Sequence, residues 1–294
     1  MLIARLIADA NGLSANLERA SAAIEGQGMR LAQATMLDFC SDVLELELLE
    51  GDPAVLRQIL DAHFAPSDLL VTTDVIQVPH LFVSDMDSTM IGQECIDELA
   101  DFAGLKPQIA GITERAMQGE LDFAQALTER VALLKGLGED TIAQCLAERI
   151  VPMPGARTLV ATLKSRGCHT VLVTGGFHQF ADPVAEQLGF EQVFANRLAI
   201  DGGKLTGGLV GGITDSAVKR RVVVDAMARL GEGAVSLATG DGANDIPMIE
   251  AATYGLAYHA KPKARAAADG WIDRGDLTSV LKLLGIPESD WVAG

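Results

Sequence analysis

The sequence predicts an α/β chain in two parts: a Rossmann-like parallel sheet with a helical cap insertion, preceded by a ferredoxin-like α+β module. Three observations predict it. The length, 294 residues, suits about two domains at one per ~150 residues. The first eighty residues read as strand, helix, strand, strand, helix, strand. From Leu81 onward, short β-rich runs alternate with long helical stretches, as in a parallel sheet covered on both faces.

The elements follow in order. Residues 2–8 form a short apolar strand. Leu13, Leu17, Ala20 and Ile24 recur at helical spacing until Gly26 and Gly28 stop the helix. Residues 29–37 and 43–49 mostly alternate, as half-buried strands do. Pro53 suits a helix start, and Val55, Leu56, Ile59, Leu60 and Phe64 trace one face. Residues 69–78 read as a strand ending at Pro79. This βαββαβ order is the ferredoxin-like arrangement. Beyond it, strands are expected at 81–84, 170–174, 235–239 and 255–258. Between the first two lies a helix-rich block, about 92–150, broken at Gly104, Gly119, Gly136 and Gly138. It is too long for a crossover helix and reads as an inserted cap. Asp201-Gly202-Gly203-Lys204, within 193–212, marks a β-hairpin.

Composition narrows the function. Hydrophobic residues are 49% and charged residues 21%, enough for a substantial core. Net charge is −17, from 23 basic and 40 acidic residues. Residues 1–80 hold 4 Arg, no Lys and 12 acids, 4 − 12 = −8. That balance offers no footprint for nucleic acid or an anionic membrane. An anionic ligand would need local cations or a metal. Cys40, Cys95, Cys145 and Cys168 show no C-x-x-C spacing and read as buried thiols of a reducing compartment. Arg5 and Asp9 interrupt any signal-like start, and no apolar run reaches ~18 residues, so a cytoplasmic location is expected.

Four features carry chemistry. Leu81-Phe82-Val83-Ser84 runs into Asp85-Met86-Asp87-Ser88-Thr89. Acids at i and i+2 of extended chain share a side, at the sheet edge where α/β folds bind ligands. Repulsion between them invites a divalent cation, although solvated turn acids would give the same spacing. Gly240-Asp241-Gly242-Ala243-Asn244-Asp245 adds carboxylates at that edge. Thr174-Gly175-Gly176, at a strand end, offers a hydroxyl and glycine N–H groups, suited to an anion or to a helix N-cap. Lys219 sits just inside a helix starting near Ser216. Together they supply what phosphoryl transfer needs: charge neutralisation and positioning.

In that order the four features resemble the haloacid dehalogenase superfamily. Over about residues 80–285 the pattern is similar to its phosphoserine phosphatase family. That likeness rests on Glu94, Leu121-Asp122-Phe123, Arg130-Val131-Ala132-Leu133-Leu134-Lys135, Phe194-Ala195-Asn196-Arg197 and Lys204-Leu205-Thr206-Gly207. Residues 1–78 are similar to an ACT-like regulatory or dimerisation domain, with Asn11 where the usual ligand turn has Pro. Residues 79–294 would be the phosphatase domain, with the haloacid dehalogenase fold.

The resemblance implies Mg²⁺-dependent hydrolysis of O-phospho-L-serine through an aspartyl-phosphate, completing serine synthesis. Asp85 would be the nucleophile and Asp87 the acid and base. Asp85, the Asp87 carbonyl and Asp241 would hold Mg²⁺, with Asp245 orienting its waters. Thr174, Gly175, Lys219 and Asn244 would hold the phosphoryl group. Glu94 and Arg130 would bind the substrate's ammonium and carboxylate, with Phe123 and Met117 closing the apolar side. Thr174 stands where the family more often has Ser, and Met86 where it has Phe. A homodimer is expected by analogy with ACT-like modules. A receiver-type signalling domain would be shorter and lack an acid at position 87. A related phosphatase or phosphotransferase, acting on phosphothreonine or transferring to another alcohol, stays open.

Overall fold

The computed structural model describes residues 1–40, 42–118 and 120–293, with Met117 described in its backbone alone. Gly119, an expected cap break, lies outside the described residues. The first unit runs β1 (Leu2–Ile7), α1 (Leu13–Gly26), β2 (Leu31–Met36), β3 (Val43–Leu48), α2 (Pro53–Phe64) and β4 (Asp68–Thr72). Asp52 caps α2, its carboxylate accepting the Ala54 N–H at 2.7 Å. Strand β4 stops short of the expected 78. Beyond it, the Gln77 N–H donates to the Tyr254 hydroxyl at 3.0 Å, outside any ladder.

The second unit opens with β5 (Leu81–Ser84) and the cap helices α3 (Cys95–Phe102), α4 (Lys106–Met117), α5 (Phe123–Leu133) and α6 (Glu139–Arg149). It returns through α7 (Ala156–Ser165), β6 (His169–Phe177), α8 (His178–Leu188) and β7 (Gln192–Asn196). A hairpin follows, β8 (Leu198–Asp201) with β9 (Lys204–Leu209), turning at Gly202 and Gly203, which both hold positive φ. Then come α9 (Ser216–Leu230), β10 (Ser236–Gly240), α10 (Ile246–Ile249), β11 (Tyr254–Tyr258), α11 (Pro262–Ala267), β12 (Gly270–Ile272) and α12 (Thr278–Leu283).

Residues 193–196, expected within the hairpin region, belong instead to β7, a parallel strand beside β6. Strand β12 was not expected, because three residues are too short to show alternation. It joins the two units. One sheet runs β2-β3-β1-β4-β12-β11-β10-β5-β6-β7, parallel from β12 to β7 and antiparallel through the first unit. At the seam, Asp68, Leu69 and Leu70 face Ile272, Trp271 and Gly270. One apolar cluster crosses it, with Leu46, Leu48 and Phe64 packed among residues that include Ala257 and Trp271. The rigid sheet thereby sets the C-terminal ends of β5, β6, β10 and β11 side by side.

Candidate active site

A cavity of about 220 Å³ opens where those strand ends meet the cap. The core contributes Asp85, Asp87, Thr174, Gly175, Gly176, Asp241, Asn244 and Lys261 to its wall. The cap contributes Glu94, Ile96, Phe123, Leu127 and Arg130. Asp122 starts α5 through a capping box with Gln125, at 2.8 and 3.0 Å. Phe123, Leu127 and Arg130 then fall at i, i+4 and i+7, on one helical face. That face lines the cavity.

The acids are placed by local sequence. Asp85 follows the last residue of β5, and its N–H donates to the Thr239 carbonyl at 2.9 Å. Ser88 takes φ +55°, an uncommon conformation for a side-chain-bearing residue, and its hydroxyl donates to Glu94 Oε1 at 3.0 Å. At the end of β10, a methyl group on Gly240 would lie 2.5 Å from the Asp245 carboxyl carbon, so only glycine fits. Asp245 Oδ2 accepts the N–H groups of Asp241 and Gly242 at 3.2 and 3.0 Å.

Lys219, only 1% exposed, places its Nζ 2.6 Å from Asp245 Oδ1 and 2.7 Å from Asp85 Oδ1. The Asp245 contact is a hydrogen bond; the Asp85 contact is an ion pair without hydrogen-bond angles. Burial alone would lower the Lys219 pKa, but Asp85 and Asp245 reverse this and raise it. The amine therefore stays charged. Its single charge is shared by two carboxylates, and burial with the nearby Asp245 raises the Asp85 pKa despite Lys219. Burial, with Glu94 beside it, pushes Asp87 up to about 7. That carboxyl can hold or release a proton near neutrality.

The site fits a divalent cation. Asp85, Asp241 and Asp245 bring carboxylate oxygens within 4.8 Å of one another. Asp87 Oδ1 is buried without a hydrogen-bond partner among the described residues. Asp245 is already engaged by Lys219 and two backbone N–H groups, which leaves Asp85 and Asp241 to face an ion. Hard oxygen donors short of positive charge suit a hard cation.

A model of the haloacid dehalogenase-like hydrolase family matches residues 82–250. The chain belongs to the haloacid dehalogenase-like hydrolases. Among relatives, a phosphoserine phosphatase of Streptococcus thermophilus is 46% identical over 209 residues, 71% of this chain and 97% of that protein. A phosphoserine phosphatase of Albidiferax ferrireducens is 44% identical over 69% of this chain and 88% of its own length. A probable phosphoserine phosphatase of Vibrio cholerae superposes with a TM-score of 0.75 at 32% identity, covering 98% of this chain and 88% of that one.

In this haloacid dehalogenase-like hydrolase, every residue expected to act on metal, phosphoryl group or substrate lines the cavity or contacts a residue that does, with one exception. The Met117 side chain lies outside the described residues. The Thr174-Gly175-Gly176 segment is corrected in kind: it is a bulge inside β6, which continues to Phe177, and caps no helix. Sequence reasoning missed Lys261. It is an exposed side chain on the cavity wall, with Nζ 3.1 Å from Asp241 Oδ2. Its one signal was its place just after a sheet strand.

Proposed function

We propose that the chain hydrolyses O-phospho-L-serine to L-serine and phosphate with Mg²⁺, as the last step of serine biosynthesis. The observation that carries this is Arg130. Its half-buried guanidinium faces the cavity with no carboxylate within salt-bridge distance among the described residues, and burial lowers its pKa. Glu94 lines the same cavity. A cation and an anion on the cap side match the carboxylate and ammonium of a small amino acid. Phe123 supplies an apolar part of the same cavity wall.

Asp85 attacks phosphorus, forming the Asp85–phosphorus bond as the bond to the serine oxygen breaks. Asp87 gives that oxygen its proton. A water then attacks phosphorus, Asp87 takes the water's proton, and the Asp85 carboxylate leaves. Thr174 Oγ1 already accepts the Gly176 N–H at 2.9 Å, so its own hydrogen is free to donate to a phosphoryl oxygen. Gly175 and Asn244 line the same side, and Lys219 holds Asp85 in line. Asp85, the Asp87 carbonyl and Asp241 would hold Mg²⁺, which supplies positive charge against the phosphoryl oxygens. Asp245 would orient the ion's waters.

We take residues 1–78 as an ACT-like unit that regulates or pairs subunits, since its β2 is an exposed sheet edge suited to a second copy. The four cysteines are free and buried, which supports a reducing, cytoplasmic setting. Among the described residues, no helix is long and apolar enough to cross a membrane.

The test is phosphate release from O-phospho-L-serine, O-phospho-L-threonine and p-nitrophenyl phosphate, with Mg²⁺ and with EDTA. A phosphoserine preference abolished by EDTA is expected. Activity on p-nitrophenyl phosphate alone would remove the substrate assignment. Release only when an added alcohol is phosphorylated would make the chain a phosphotransferase.

A further inference from the structure

We propose that Asn196 is the positioning residue that shapes the phosphoryl-binding bulge, an inference that rests on the phosphatase reading above. The β6–β7 ladder pairs Val173 with Phe194 and then resumes at Phe177 with Asn196. Four steps along β6 therefore match two along β7. Thr174-Gly175-Gly176 stand opposite Ala195 alone, two residues in surplus, and are thrown out of register where they meet the cavity.

A bulge strips backbone groups of their ladder partners, and a buried carbonyl left without one is costly. Asn196, only 1% exposed, meets that need: its Nδ2 donates to the Gly175 carbonyl at 2.8 Å. Its Oδ1 accepts the Thr214 N–H at 2.8 Å. Both ends of the amide are thus used, and the partners allow only one orientation.

The second bond reaches the other half of the phosphoryl site. Thr214 precedes Asp215, the cap of α9, whose carboxylate accepts the Val218 N–H at 3.0 Å. The Lys219 N–H donates to the Asp215 carbonyl at 3.0 Å. One buried amide therefore ties the Gly175 bulge to the turn that launches Lys219. The two loops also lie close together: a methyl group on Gly175 would fall 3.9 Å from the Thr214 carbonyl oxygen. Asn196 reaches no reacting atom. It sets the spacing between the Thr174 and Gly175 donors and the Lys219 ammonium, and so acts chiefly on the phosphoryl end.

The two bonds can be separated. Asn196→Asp keeps the acceptor for Thr214 but turns an oxygen toward the Gly175 carbonyl. Asn196→Ala removes both bonds. The readouts on the full chain are kcat and KM for O-phospho-L-serine and p-nitrophenyl phosphate, the inhibition constant of inorganic phosphate, and thermal melting. Both variants should lose on the order of 100-fold in kcat on both esters, the scale of a reacting group misplaced by about 1 Å. The phosphate inhibition constant should rise roughly tenfold. The ratio of kcat/KM between the two esters should change far less than kcat, because Asn196 bonds Gly175 and Thr214 and not the cap residues Arg130 and Glu94 that read the amino-acid end.

Wild-type kcat in a folded Asn196→Asp would overturn the proposal, as would a collapse of the ester ratio in step with kcat. If Asn196→Ala does not fold, Asn196→Asp alone decides. A wild-type chain inactive on phosphoserine but active on p-nitrophenyl phosphate sinks the substrate reading, while the second ester and phosphate still test Asn196.

Discussion

Phe123 of the cap rests against Gly175 of the core: a methyl group on Gly175 would lie 3.1 Å from Phe123 Cζ. The contact joins the apolar wall of the cavity to the phosphoryl-binding bulge. Gly175→Ala should push Phe123 away and hold the cap ajar, lowering kcat/KM for phosphoserine about 10-fold. Pairing it with Phe123→Ala removes the collision, so the double variant should lose less than the product of the two single losses. Strict additivity in that cycle would show that the contact does not hold the cap.

Lys219 should be indispensable for a second reason besides charge. Among the described residues it is the one ammonium between the buried Asp85 and Asp245, so Lys219→Met strands two carboxylates in the core. Breaking a buried pair from one side costs about 3–5 kcal/mol. Asp245→Asn removes one of the two acids and should recover part of that stability in the double variant, without recovering activity. Urea melts of the metal-free chains measure it, and equal midpoints for single and double variants would refute the shared-charge account.

Arg265 should be worth more than a surface ion pair. Its guanidinium bonds Asp61 of α2 at 3.1 Å and 2.6 Å, and Asp273 at 2.7 Å. It also lies 3.7 Å from the centre of the Trp271 ring. These contacts span the β4–β12 seam, so Arg265→Ala should cost about 2 kcal/mol. Arg265→Lys should not restore it, because an ammonium cannot reproduce the fork or the stacking. Full rescue by Lys in chemical denaturation would reduce the residue to a simple charge.

The chemistry was more legible than the architecture. Asp85, Asp87, Thr174 and Asp241 each sit beside a local signal, a β run or a glycine turn, Lys219 gains its meaning only from the set, and the parallel topology brings them together. Glu94 and Arg130 carry no such signal; on helical spacing alone they are ordinary polar positions, and only the family pattern picks them out. The β12 seam was invisible because three residues of strand give no periodicity. Lys261 was passed over because an exposed lysine is nearly always only solvated, and its side chain is 67% exposed here. The bulge at Gly175 is hidden in the sequence because the ladder resumes only through pairing with Asn196, and a non-local bond leaves no mark in the local sequence.

Arg130 gives the sharpest test of substrate choice. It sits on the cavity face of α5, bonded only to the Ala126 carbonyl at 3.3 Å among the described residues. With no carboxylate within salt-bridge distance among the described residues, and only the more distant Asp97 and Glu94 to offset burial, the half-buried guanidinium loses hydration and gains little, a cost that a substrate carboxylate would repay. Arg130→Ala should therefore raise KM for phosphoserine on the order of 100-fold, as expected when a charged hydrogen-bonded partner is removed. For p-nitrophenyl phosphate, which has no carboxylate, KM should change about 3-fold or less, within the range of lost packing. kcat on that ester should hold, since Arg130 lies on the cap and touches no reacting atom. Parallel losses on both esters would take Arg130 out of carboxylate recognition and leave Glu94 without its partner role.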